Sequence, residues 1–205
     1  MRALLWLLSG TITAIVLIAG GGYVYAKYLA HGFSARIAPS SIEASVAAAA
    51  LNLAIPSDAR ARQNPIPSSE EVIAEARAHW ADHCAGCHAN DGSGQIPVGQ
   101  QMYPPSPDMR KEGTQKKTDG ELFYIIENGV RLTGMPAWGG SGKHEQDSWK
   151  LVRFIRHLPS MTQAELKQME SLNPKTPDDL EEERQEEEFL KGGAPAEPAH
   201  EHHHH

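Results

Sequence analysis

Two cysteines, three positions apart and followed at once by a histidine, are the whole thiol supply of this 205-residue chain: Cys84-Ala85-Gly86-Cys87-His88. With no thiol left over, no structural disulfide can staple another part of the fold. Anchoring as a diacylated lipoprotein is excluded as well, since no cysteine stands directly after the first apolar segment. A bare C-x-x-C has several meanings. A thioredoxin-like redox pair would open a helix inside a sheet-containing fold, but here the pattern closes a helical stretch and no convincing strand exists. A zinc site would need a second ligand pair, and no other cysteine is present. The immediate histidine points instead to covalent haem attachment. Thiols at this spacing lie about one helical turn apart. They match the two vinyl groups of one haem edge, and the adjacent imidazole lies beneath the ring within reach of the iron.

Around this motif the chain divides by composition. Ala3 to Tyr25 carries no charged residue; as a helix rising about 1.5 Å per residue it just exceeds the ~30 Å hydrocarbon core of a bilayer. Trp6 at one end and Tyr23, Tyr25 and Tyr28 at the other suit the headgroup level. A cleaved signal peptide would also begin with Arg2 and an apolar run, but this core is long and Lys27-Tyr28-Leu29 offers no clean cleavage site. The expectation is a retained single-pass anchor over 3–25.

Residues 26–68 read as a linker. Ile42 to Ala54 forms a short Ala-rich helix ended by Pro56, and Pro65 and Pro67 stiffen the approach to the next element. Ser68-Ser69-Glu70-Glu71 is a helix start, with a hydroxyl cap and acids in the first turn. Val72, Ile73, Ala76 and Trp80 then line one apolar face leading into the cysteines. A loop dense in Gly and Pro runs from Ala89 to Lys117. Asp119 is expected to cap a helix through Ile126, closed by Asn128-Gly129. Trp149, Leu151, Val152, Phe154, Ile155 and Leu158 mark an amphipathic helix ending before Pro159. Thr162 caps a further short helix, making 161–175 a helical extension. Residues 176–205 form an acidic, then His-rich, polar tail.

The segment from about Ser69 to Leu158 resembles the class I cytochromes c. The features that carry the resemblance are the helix leading into Cys84-Ala85-Gly86-Cys87-His88, the Gly-rich Asn90-Asp91-Gly92-Ser93-Gly94 loop, Gly134-Met135-Pro136-Ala137-Trp138 and the final amphipathic helix. The resemblance implies an all-α domain of 69–160 wrapped around one covalent haem c. Cys84 and Cys87 would hold the haem and His88 would be one axial ligand of its iron. A methionine in the G-M-P-A setting, here Met135, would be the second. Met102 and Met109 lie in the intervening loop and stay open as alternatives; Met161 and Met169 are assigned to packing. The family's proline-containing loop, represented here by Pro104, Pro105 and Pro107, would supply a carbonyl that orients the axial imidazole. Arg131 is either a partner for a haem propionate or a solvated surface residue.

Function follows from these expectations. A His/Met pair favours ferrous iron and leaves it no open coordination position, so the resemblance implies a single-electron carrier rather than an enzyme. The second alternative is a haem subunit of an oxidoreductase complex. Expected partners are a quinol-oxidising complex, a dehydrogenase or an oxidase. Haem attachment of this kind takes place outside the bacterial cytoplasmic membrane, which would put the domain in the periplasm. A formal charge of -7, without clustered Lys and Arg, argues against nucleic acid. Much of the acid lies in Asp178 to Glu188, a solvated segment or a docking patch for a basic partner. His200, His202, His203, His204 and His205 could hold a transition metal. With Met1 and the apolar segment both present, they are read as a native tail rather than a purification tag. A metal-handling or sensing role, with this tail as its working end, is the third alternative.

Overall fold

The computed structural model describes residues 2–29, 34–140, 142–175 and 177–190. Among these the secondary structure is helical, with no strand. Helix α1 (Arg2–Val24) continues through a wider turn over Tyr25–Leu29, and none of its residues is buried. Arg2–Tyr28 is long and apolar enough to cross a membrane by length and composition. At its far end the Lys27 ammonium lies 5.6 Å from the Tyr23 ring and 5.2 Å from the Tyr28 ring, an arrangement suited to a polar boundary.

Helix α2 (Ser41–Ala54) starts at Ser40, whose hydroxyl accepts from the Glu43 N–H at 3.2 Å. The short α3 (Ser57–Ala61) follows. The stretch from Ile55 to Ile66, a plain connector in the sequence reading, packs on the helical body. Ile55 and Ala59 are buried. The Arg62 guanidinium sits 4.4 Å over the Phe123 ring and 5.1 Å from that of Trp149. Asn64 Nδ2 donates to the Trp149 carbonyl at 2.9 Å, and Arg153 Nε donates to the Ile66 carbonyl at 2.8 Å. Gly120 permits the approach, because a Cβ there would lie 2.0 Å from the Ala59 carbonyl oxygen. Periodicity cannot detect such a strap, since it is held by backbone acceptors and cation–π contacts rather than by an apolar stripe.

The core lies between α4 (Glu70–His83), α8 (Asp119–Asn128) and α9 (Lys143–His157). Helix α4 contributes Ala76, Trp80 and Ala81; α8 contributes Leu122, Phe123 and Ile126; α9 contributes Trp149, Leu151, Val152, Phe154 and Ile155. Trp80 tilts against Phe154 at 5.5 Å, and Phe123 stacks on Trp149 at 4.0 Å. Full burial of each such side chain stabilises by about 1.5–3 kcal/mol. The cap of α8 is Thr118, not Asp119. The Thr118 hydroxyl accepts from Glu121 N–H at 3.1 Å while the Glu121 carboxylate accepts from Thr118 N–H at 2.7 Å. Two reciprocal bonds decide the cap in favour of Thr-x-x-Glu. Asp119, one residue in, takes Arg156 Nε at 2.9 Å.

The loop over 89–117 contains two helical turns, α6 (Pro97–Gln101) and α7 (Glu112–Gln115). Beyond α9, Thr162 caps α10 (Gln163–Glu170) through another reciprocal box with Glu165. Helix α10 is tied down: Met169 is 0% exposed, and Glu165 takes Arg77 at 3.1 Å and His157 at 2.8 Å. Burial pushes the Glu165 carboxyl up, but bonds from the Thr162 N–H, the His157 ring and the Thr162 hydroxyl outweigh it and hold it at about 2. The acidic segment is helix α11 (Pro177–Leu190).

Candidate functional site

Helix α4 ends at His83, and Cys84 joins it to a single turn, α5 (Ala85–His88). The His88 N–H donates to the Cys84 carbonyl at 2.9 Å and the Cys87 N–H to the same oxygen at 3.1 Å. Positions i, i+3 and i+4 of one turn share a face, so this turn places both thiols and the imidazole on one side. Ala89 then takes φ +63°, a left-handed conformation that costs a residue bearing a Cβ. Its carbonyl accepts the Trp80 indole N–H at 3.0 Å. Trp80 thus holds the exit of the motif as well as the core, and its ring lies 5.7 Å from that of His88.

His88 is 8% exposed, and its burial lowers the imidazole pKa, which favours the neutral form needed for metal ligation. Its Nδ1 is buried without a hydrogen-bond partner. The carbonyl expected from the proline-containing loop is therefore not bonded to the ring. The Gly-rich loop bonds the motif directly, and the proline-containing segment is joined to α6 one step away. Gly94 N–H donates to the His88 carbonyl at 2.8 Å, and Ser106 N–H donates to the Gly99 carbonyl at 2.9 Å. A Cβ at Gly99 would lie 2.1 Å from the Cys87 carbonyl oxygen, so glycine is what lets α6 seat on α5. Glycine at this position was a signal the sequence reading passed over.

Burial, with Cys87 beside it, pushes the Cys84 thiol up to about 12. A thiol protonated to that degree is not the thiolate of a redox pair. Two thiols and a buried imidazole on one side of a single turn form a donor set that fits haem c. The unpartnered Nδ1 is free to take a second-shell acceptor once the imidazole is bound to iron.

The methionines separate into two groups. Met109 and Met161 pack on the core and Met169 lies inside it. Met102 reaches the loop that carries Met135: a Cβ on Gly134 would lie 2.5 Å from Met102 Sδ. The Met135 loop is anchored to the end of α8. Val130 N–H donates to the Met135 carbonyl at 3.1 Å, and Met135 N–H donates to Thr133 Oγ1 at 3.1 Å. Trp138 and Gly139 N–H donate to the carbonyls of Ile126 and Glu127, each at 3.0 Å. Gly129, at φ +63°, allows this close return, because a Cβ there would lie 2.6–2.7 Å from backbone atoms of Met135, Pro136 and Ala137.

Trp138 stacks on His83 at 5.5 Å, joining the methionine loop to the last turn of α4 beside Cys84. The sequence shows Trp138 only as part of a motif and gives no sign of its pairing with His83. His79 lies 4.8 Å from His83, and its pKa is lowered by burial and then by His83. Arg131 is exposed on the same loop. The possible metal site at His200, His202, His203, His204 and His205 lies outside the described residues.

Residues 71–155 match the family model described as cytochrome c oxidase, cbb3-type, subunit III. No curated protein matches the chain.

Proposed function

We propose that this chain, which carries a cytochrome c domain over residues 71–155, moves single electrons at the outer face of the cytoplasmic membrane. Cys84 and Cys87 would bind one haem c through thioethers, with His88 and Met135 as axial ligands. Haem c supplies one reversible electron between ferrous and ferric iron. Everything else falls to the chain. Burial keeps His88 neutral, Trp80 and Gly99 fix the turn that presents it, and the bonds to α8 hold Met135 in a preset loop. Such a preset thioether favours Met135 over Met102, which lies against Gly134 by its side chain alone. The observation that carries the reading is the Cys84–His88 turn, which sets two thiols beside a buried His88 whose Nδ1 has no partner.

The subunit description of the matching family favours a place within a respiratory oxidase over free diffusion between complexes. The apolar α1 would hold the chain there with the haem domain in the periplasm. The folded unit under this proposal spans the strap at Ile55 through α10, wider than the matched segment.

Replacing both Cys84 and Cys87 by Ser tests the reading. The unmutated protein should keep its haem through acid–acetone extraction and denaturing electrophoresis, and the double variant should carry none covalently. Extraction of haem from the unmutated protein would refute thioether attachment. Copurification of oxidase subunits from native membranes would favour the subunit assignment.

A further inference from the structure

Helix α2 presents a face that the haem domain does not use. Ile42, Val46, Ala49 and Leu53 recur at spacings of four, three and four, which puts them on one stripe of a helix turning about 100° per residue. Ile42 is 76% exposed, Val46 63% and Leu53 88%. Leu51, half a turn round from the stripe, is half-buried. Polar ties to the domain flank it: Glu43 accepts the Tyr103 hydroxyl, Asn52 Oδ1 takes Lys117 at 3.2 Å, and the Asn52 carbonyl accepts from Arg60. The helix is thus fixed to the domain by one side with its apolar stripe turned away.

We infer that this stripe lies in the headgroup–acyl boundary of the same membrane that α1 crosses, so that α2 holds the haem domain against the lipid surface. Two observations choose lipid as the occupant. Eleven residues separate Leu29 from Ser41 and reach at most about 40 Å, which keeps α2 close to the bilayer that anchors the chain. The helix also has no lysine or arginine, and its one charge, Glu43, is engaged by Tyr103. Its affinity for lipid therefore comes from apolar area rather than anionic headgroups. Fourteen residues are too few to span, which leaves the helix lying in the plane of the membrane. The inference rests on reading α1 as a membrane anchor.

The test uses the full-length holoprotein in nanodiscs of phosphatidylethanolamine and phosphatidylglycerol. A nitroxide is attached to a cysteine placed by Val46→Cys, Leu53→Cys, Ile15→Cys in α1, or Gln168→Cys on the exposed side of α10. Collision with oxygen is compared with collision with a water-soluble nickel chelate. The labels at 46 and 53 should favour oxygen severalfold more than the label at 168, equally at low and high salt. An aqueous label at 15 would overturn the anchor reading itself. A bilayer label at 15 with aqueous labels at 46 and 53 would overturn the inference alone. Labels at 46 and 53 shielded from both reagents would place a protein partner or a second copy on the stripe, which also overturns it.

Discussion

Met169→Ala should destabilise the haem domain by about 3 kcal/mol, although Met169 lies outside both the matched segment and the amphipathic helix that closes it. The side chain is 0% exposed and belongs to the same core as Trp80 and Phe154. Truncating a fully buried methionine costs about 2–5 kcal/mol, the transfer loss plus the cavity left behind. One turn before it in α10, Glu165 ties the helix to Arg77 and His157. That anchorage limits collapse into the cavity, which argues for the middle of the range. For a folded unit of roughly 115 residues, such a loss lowers the melting midpoint by about 10–15 °C. The assay is denaturant and thermal unfolding of detergent-solubilised holoprotein, followed by tryptophan emission and the Soret band. Lys167→Ala, on the exposed side of the same helix, is the control and should move the midpoint by no more than about 2 °C. If Met169→Ala shifts it as little as Lys167→Ala, α10 is a surface appendage and the reasoning from burial fails. If the denaturant slope changes with the midpoint, the two-state comparison itself does not hold.

Three more outcomes are expected. Met135→Ala should remove the weak sulfur-to-iron charge-transfer band of the oxidised protein, admit carbon monoxide to the ferrous form and lower the potential on the order of 0.1 V, well within the ~0.8 V that axial ligands command; loss of the band in Met102→Ala instead would move the assignment. Gly129→Ala should cost about 1–3 kcal/mol through its left-handed backbone and its approach to the Met135 loop, and should weaken the same band while haem stays attached; Gly113→Ala, with open space around it, is the control for both readouts. The third concerns acid: Glu165 falls from 4.5 to about 2 on folding, so its contribution is complete above 4.5 and fades as pH drops towards 2. Glu165→Gln should therefore cost about 1–2 kcal/mol near neutrality, with the gap to the unmutated protein closing between pH 4.5 and 2 in thermal melts; a gap constant across that window would show that the carboxylate charge is not what holds α10.

The helical framework and the C-x-x-C-H motif were legible from local pattern. C-x-x-C-H is local: its two thiols and its imidazole lie within one turn, so spacing alone fixes their relation. The faces of α4, α8 and α9 are local too, since a periodic apolar stripe is a property of each helix taken alone. The same holds for the capping box at Thr162. At Thr118 the pattern was present, but an acid beside it competed, and only the two reciprocal bonds separated them. The features that escaped local pattern are long-range. The strap at Ile55–Ile66 is held by Trp149, Phe123 and Arg153, more than fifty residues away in sequence, through acceptors and ring faces that leave no periodic trace. The seating of α6 on the motif depends on a glycine facing the Cys87 carbonyl, and a glycine in a loop looks alike whether or not anything approaches it. The meeting of Met102 with the Met135 loop, the pairing of His83 with Trp138 and the burial of Met169 arise from chain closure over distances that no local pattern encodes. Spacing sets which residues share a face, but only packing sets which faces meet.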